Sequence, residues 1–236
     1  MKTAYSTKEL LCLLALALAI LPPFGAVLFI FIKTFGAISL EFLTAMPTQR
    51  GITGGIFPAI VGTLWLMVGT ASAVLPIGVG AGIYLAEFAP NNWLTRLLER
   101  SLINLAGVPS VVFGLFGYAL FVIMLGFGSS LLSASLTLAA LTLPLVVTAT
   151  RQALFVIPKS FREASLALGA TRWQSVSTVL LPCAKSGILT GTLLGLARAA
   201  GETAPILITG VAFYLPSLPT SFLSRFMALP YHLFIT

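Results

Sequence analysis

Aspartate is absent from the chain, and all six acidic residues are glutamate. One histidine, His232, and two cysteines, Cys12 and Cys183, complete the usual pool of metal ligands and nucleophiles. These absences exclude a good deal. A zinc site needs several such ligands converging, and acid–base catalysis needs a cluster of titratable groups, so an enzyme is the poorest reading. Charge is scarce as well. Only 8% of residues are charged and 58% are hydrophobic, against roughly 25% charged in a soluble domain. No G-x-x-x-x-G-K-[ST] phosphate loop occurs, so the chain lacks the cradle with which such ATPases hold nucleotide.

What the sequence does contain is apolar runs without charge, from Leu10 to Ile32, Gly51 to Ala86 and Ser101 to Thr150. Each reaches or exceeds the ~20 residues needed to cross a bilayer core. The last is long enough for two helices, with a hairpin at Gly126-Phe-Gly-Ser-Ser130. A fifth candidate runs from about Lys185 to Ala212, interrupted only by Arg198 and Glu202. With the N-terminus in the cytoplasm, Lys2, Lys8, Arg96, Arg100, Arg151, Lys159, Arg162, Arg172 and Lys185 fall inside, while Lys33, Arg50 and Arg225 fall outside. This is the basic-inside bias of a multi-pass membrane protein. It accounts for the net charge of +7 by topology, and a nucleic-acid partner is not required.

The first run could instead be a signal peptide, but its length exceeds the usual 7 to 15 residues of an h-region and favours a retained helix, kinked at Pro22-Pro23. Both cysteines fall near cytoplasmic span ends, where reducing conditions oppose a disulfide. We divide the chain into an N-terminal helix with an outer loop, 1–50, and a membrane core, 51–236, whose cytoplasmic insertion covers 152–182.

That insertion reads QALFVIPKSFREASLALGATRWQSVSTVLLP. Ser160-Phe-Arg-Glu163 and Thr171-Arg-Trp-Gln174 both have capping-box spacing. Gly169 suits a left-handed helix end, and Pro182 is expected to help end the second helix. Phe161, Ala164, Leu168, Trp173 and Val176 give the element an apolar side. A solvated connector and a docking element both fit that pattern.

Glu163-Ala164-Ser165, Gly169, Val179, Leu181 and Pro182 resemble the EAA loop of ABC importer permeases, with Ser165 in place of the third-position alanine and Val179 in place of isoleucine. The resemblance implies an all-α polytopic membrane helix bundle of the type I (MetI-like) class. It also implies that Arg162, Glu163, Ala164, Ser165 and Gly169 belong to a helix coupling the chain to a separate ATP-binding subunit. No cofactor would then be bound by this chain, and ATP and magnesium would sit on that partner.

In the fifth run, Arg198 lies 13 residues beyond Lys185, about 20 Å along a helix and past the middle of a ~30 Å core. Glu202 follows at i+4. A self-neutralising pair facing the bundle is one reading. The other is a site, because Pro205 opposes a continuous helix beside Gly201, Thr203 and Thr209 add hydroxyls, and opened backbone at that depth is tolerated where it lines a cavity. Gly191-Thr-Leu-Leu-Gly195 reads as a helix-packing surface. Arg151, at the inner mouth, is either a topology anchor or an anion attractor.

Gly201-Glu-Thr-Ala-Pro205, Ala106-Gly-Val-Pro-Ser-Val-Val-Phe-Gly-Leu-Phe-Gly117 and Gly55-Ile-Phe-Pro-Ala-Ile-Val-Gly-Thr63 are similar to tracts of the phosphate-specific (Pst) permeases, A subunit. This resemblance implies a phosphate pathway through Arg198, Glu202, Arg151 and Thr203, with a helix break at Gly201 and Pro205. It implies as partners a C-type permease, an ATPase dimer, an extracytoplasmic phosphate-binding protein and lipid, all at a bacterial inner membrane. Members of that family end with a further apolar helix, so a sixth span is expected beyond Thr236. A permease for sulfate or molybdate, the C-type subunit, and a non-conducting scaffold are the competing readings.

Overall fold

The computed structural model describes residues 7–36, 39–48, 53–215 and 217–235, so Lys2, Arg50, Gly51 and Thr236 lie outside the described residues. Contacts divide the chain into two units, Met1–Ala45 and Met46–Thr236. The first contains α1 (Thr7–Thr34) and the short α2 (Leu40–Thr44). α1 is assigned as one helix through Pro22 and Pro23, and its Leu11–Thr34 stretch is long and apolar enough to cross a membrane. The side chain of Ser39 opens α2 by accepting from the Phe42 amide, satisfying one of the donors a helix start leaves free.

The second unit begins with an antiparallel pair, β1 (Pro47–Thr48) and β2 (Thr53–Gly54). α3 (Phe57–Ile83) follows and widens into a π-helical end, π1 (Tyr84–Phe88). Next come α4 (Trp93–Ala106), then α5 (Ser110–Gly117) running into π2 (Tyr118–Met124), then α6 (Leu131–Phe155). The loop helix α7 (Lys159–Ala167) precedes one long rod made of α8 (Arg172–Gln174), π3 (Ser175–Leu180) and α9 (Leu181–Ala200). α10 (Ala204–Thr209) and α11 (Leu229–Ile235) complete the order.

α6 is the centre of this unit, packed by α3 and α9 along its length and by α5 and α10. Small residues make the approach possible. A β-carbon at Gly69, Gly78 or Gly82 of α3 would overlap Ser135, Val146 or Thr150 of α6. Gly187 and Gly191 of α9 face Ala153 and Ala149 in the same way, so the Gly191–Gly195 tract packs one helix on another. Leu66, Leu131, Leu138, Ala199, Ile206 and Phe226 form the main core. A second core, where the end of α6 meets the start of the rod, joins Leu154, Val176, Leu180 and Ala184.

Three local expectations change. The third span does not start at Ser101: α4 meets the helix that follows it at 104°, because Gly107 ends α4 and Pro109 disfavours helix at Val108. Among the described residues, four helices can cross a membrane by length and composition, or five if this bent pair counts as one. Ser160 forms no capping box, since α7 starts at Lys159 after Pro158, two residues earlier than a Ser160 cap would place it, which leaves Ser160 inside the first turn. Pro182 ends nothing. Its missing donor and the clash of its ring with the carbonyl four residues back fall where the ladder has already widened, with the Leu181 amide bonding the Val176 carbonyl. Loop and fifth span are therefore a single rod, Arg172–Ala200.

The fifth span also stops short of Ala212. After Thr209 the chain turns back, pairing Val211 with Phe226 and burying Phe226, Met227 and Ala228. Carbonyls of Phe222 and Ser224 accept from the Leu132 and Leu131 amides, so this returning segment caps α6.

Candidate functional site

The rod ends at the first charge. α9 stops at Ala200, the Gly201 amide bonds the Arg198 carbonyl at 3.1 Å, and the Glu202 amide bonds the Ala199 carbonyl at 3.2 Å. Thr203 then opens α10, whose first turn holds Pro205. A proline accepts this place because the first turn of a helix has no use for its missing amide. Residues 201 to 203 thus form a break in the fifth span, and α10 beyond it packs against α5, where a β-carbon on Gly114 would lie 3.0 Å from the Pro205 α-carbon.

Arg198 and Glu202 are not on one helical face, because the helix ends between them. Arg198 Nε stands 3.7 Å from Glu202 Oε1, longer than a hydrogen bond. Nor does the pair face the bundle. Ala199 is buried against the core while Arg198 is 54% exposed, on the same side as Leu194 at 65%. Glu202 is more enclosed, at 17%. Depth follows from register: with Gly191 against Ala149, Arg198 is level with about Thr142, the middle of α6. A guanidinium at mid-membrane costs roughly 2.5 to 3.5 kcal/mol unless it is covered, so this face requires a polar or protein neighbour.

Of the hydroxyls, Thr209 is buried and donates to the Pro205 carbonyl at 2.9 Å, so it does not line the break. Thr203 lies in the break itself. Arg151 stands apart, about 13 Å along the bundle from Arg198 at 1.5 Å per residue. There its Nη2 meets Glu99 of α4 at 2.7 Å.

In the loop, the α7 end is a complete Schellman motif. Gly169 has φ +87°, its amide bonds Leu166, and the Ala170 amide bonds Ser165. Thr171 and Gln174 form the capping box that opens the rod. Glu163 and Ala164 are exposed on α7, as are Phe161, Leu168 and Trp173, whereas Val176 is buried. Arg162 is turned inward, to Glu87, and the hydrogen bond to that carboxylate raises its pKa above the ordinary arginine value.

Residues 78–234 match the family described as "Binding-protein-dependent transport system inner membrane component". The chain belongs to that family. This permease is 36% identical over 185 residues to the probable ABC transporter permease protein YqgI of Bacillus subtilis, covering 78% of the chain and 63% of the relative. It is 38% identical over 181 residues to the phosphate transport system permease protein PstA of Yersinia pestis, covering 76% and 61%. With the probable phosphate transport system permease protein PstA of Methanocaldococcus jannaschii it shares 38% over 216 residues, covering 90% and 74%. The permease spans about three fifths of the length of the first two relatives. An inward-facing structure of the MetNI methionine ABC transporter aligns with a TM-score of 0.54 and 24% identity over 61% of the permease and 70% of that chain. The shared fold is the MetI-type helix bundle.

Glu87 escaped sequence reading. Its only signal was a lone acid closing an otherwise uncharged run, 75 residues from the arginine it binds.

Proposed function

We propose that this permease is a membrane-spanning subunit of an ATP-driven importer of inorganic phosphate, forming half of the translocation pathway and coupling to a separate ATPase. The observation that carries the reading is a mid-membrane arginine held on an exposed apolar face, beside a helix break and only loosely paired with Glu202. Relatives named for phosphate transport are 38% identical to the chain over 181 and 216 residues. A guanidinium fork holds two oxygens of an oxyanion, strongly where the dielectric is low. Glu202, when ionised, accepts the proton that phosphate retains at neutral pH. Sulfate brings no such proton and meets an uncompensated carboxylate.

The partners follow from this reading. A second, C-type permease covers the Arg198 face, an ATPase dimer bearing ATP and magnesium receives α7, and an extracytoplasmic phosphate-binding protein delivers the anion. The chain itself binds no cofactor. Its N-terminus lies in the cytoplasm and the helices cross the inner membrane. Arg151, neutralised by Glu99, serves as an inner anchor more readily than as an anion contact.

The test is ATP-dependent uptake of labelled phosphate by the complete transporter in proteoliposomes, with sulfate and molybdate as competitors. Uptake lost in Arg198→Ala, with the complex still assembled, is the expected result. Undiminished uptake in that variant, or a parent that carries sulfate in preference, overturns the phosphate reading.

A further inference from the structure

The inner ends of two membrane helices meet at one arginine. Arg162 Nε bonds both Glu87 carboxylate oxygens at 3.0 Å, and Nη2 adds a 2.5 Å contact to Oε1. The same guanidinium donates from Nη1 to the Ile157 carbonyl at 3.0 Å and from Nη2 to the Leu154 carbonyl at 2.8 Å. Leu154 belongs to the last turn of α6, where carbonyls have no partner within the helix. Glu87 belongs to π1, the end of the α3 span. π segments are single-turn irregularities that concentrate at functional places in helices, and this one carries the acid that reaches the loop.

Other contacts run parallel to the clamp. Trp173 leans on Phe88 with ring centroids 6.3 Å apart, and Ser165 of α7 touches Ser175 of the fifth-span rod. Both charged groups are largely enclosed, at 24% and 11% exposure. A charge pair so enclosed resists breaking, since removing one partner strands the other. A planar fork also fixes direction in a way a lysine does not.

We infer that Glu87 is a positioning residue for energy coupling: through Arg162 it locks loop helix α7 to the inner ends of the α3 and α6 spans, so that these three move as one body. This deepens the proposed function, on whose coupled transport it rests. A push on exposed Glu163 and Ala164 then reaches α3 and α6 through the guanidinium and the fifth span through Ser165 and Ser175. Without Glu87 the loop would move and the spans would lag.

The experiment uses the complete transporter in proteoliposomes, with Cys12 and Cys183 replaced by serine. Spin labels are placed through Leu168→Cys on the loop and Asn91→Cys just beyond π1. The parent is expected to give a narrow distance distribution between the labels. Glu87→Gln is expected to broaden it at least twofold and to lower phosphate carried per ATP about tenfold, with the ATPase still co-purifying. The exchange Glu87→Arg with Arg162→Glu should recover part of both. Arg162→Lys, which keeps the charge but loses the fork, should lie between parent and Glu87→Gln, and it serves as the readout should Glu87→Gln not assemble. A parent-like width in Glu87→Gln or Arg162→Lys, or an exchange no better than its single variants, overturns the inference. Because the distance measurement needs no substrate, a parent that fails to carry phosphate would sink the transport reading and leave the clamp decided separately.

Discussion

Ser165 Oγ lies 2.5 Å from Ser175 Oγ, joining the loop helix to the rod of the fifth span. Both side chains are buried. Ser165 also donates to the Arg162 carbonyl at 2.9 Å. The residue that departs from the family's alanine is thus a fastener inside the loop. Ser165→Ala strands the Ser175 hydroxyl, at a cost of about 1 to 3 kcal/mol, whereas Ser175→Ala removes one partner of Ser165 and leaves its bond to the Arg162 carbonyl. Ser165→Ala and Ser175→Ala should each speed hydrogen exchange of the amides around them, about tenfold for each 1.4 kcal/mol. The double variant should lose less than the sum of the two. Additive losses would mean that the two hydroxyls do not communicate.

Gly169 makes a separate prediction about the same loop. Nothing lies within 4 Å of where its β-carbon would sit, so any effect of substitution comes from its φ of +87° alone. A side chain in the left-handed region costs roughly 1 to 2 kcal/mol. Gly169→Ala should fray the end of α7, and Gly169→Asn should fray it less, since asparagine tolerates that conformation. Exchange rates at Leu168 to Ala170 read the difference, and equal rates in the two variants would contradict a purely conformational cause.

The loop and the break were legible because both are local. Gly169, Thr171 with Gln174, and Gly201 with Pro205 act on neighbours within a turn, which is the range over which sequence speaks clearly. Three features were not local. The fate of Ser160 was decided by Pro158, which starts the helix early. The course of the chain through Pro182 depended on a π segment that periodicity does not reveal. Glu87 needed a fold to bring it to Arg162. The returning segment that buries Phe226, Met227 and Ala228 reads in sequence as an ordinary outer loop, since its partners Gly62, Leu131 and Leu132 lie far earlier in the chain. Arg198 and Glu202 were found by their charge, but which way they face was settled by α6.

Packing at α6 can be tested with a matched pair of glycines. A β-carbon at Gly117 would overlap the Thr137 side chain, whereas one at Gly80 meets nothing within 4 Å. Gly117→Ala should destabilise the bundle by about 1 to 3 kcal/mol through overpacking. Gly80→Ala should be neutral or mildly stabilising, by up to about 1 kcal/mol, through helix propensity. Thermal unfolding of the purified protein in one detergent compares them, and similar midpoints would mean that α5 and α6 have room to separate.

Arginine and lysine should not be equivalent at position 198. Lysine keeps the charge but not the fork that grips two oxygens. Arg198→Lys should therefore retain measurable uptake at roughly a tenth of the parent rate, one tenfold step being worth about 1.4 kcal/mol. Initial rates over a range of phosphate concentrations decide the matter. Parent-like kinetics would show that only charge is required there.

Glu202 decides whether the pair discriminates between anions or only balances charge. It is the more enclosed partner, and its Oε1 sits 3.7 Å from Arg198 Nε, near enough to steady the guanidinium but too far to satisfy it. If the carboxylate takes the phosphate proton, Glu202→Gln removes the repulsion that excludes sulfate while leaving the Arg198 fork in place. The variant should then carry less phosphate and be inhibited by sulfate at several-fold lower concentration than the parent. If Glu202 serves only as counter-ion, phosphate uptake falls with no change in the sulfate-to-phosphate ratio. Competition measured at fixed pH separates the two roles, because a counter-ion acts on every anion alike and a proton acceptor acts only on the one that brings a proton.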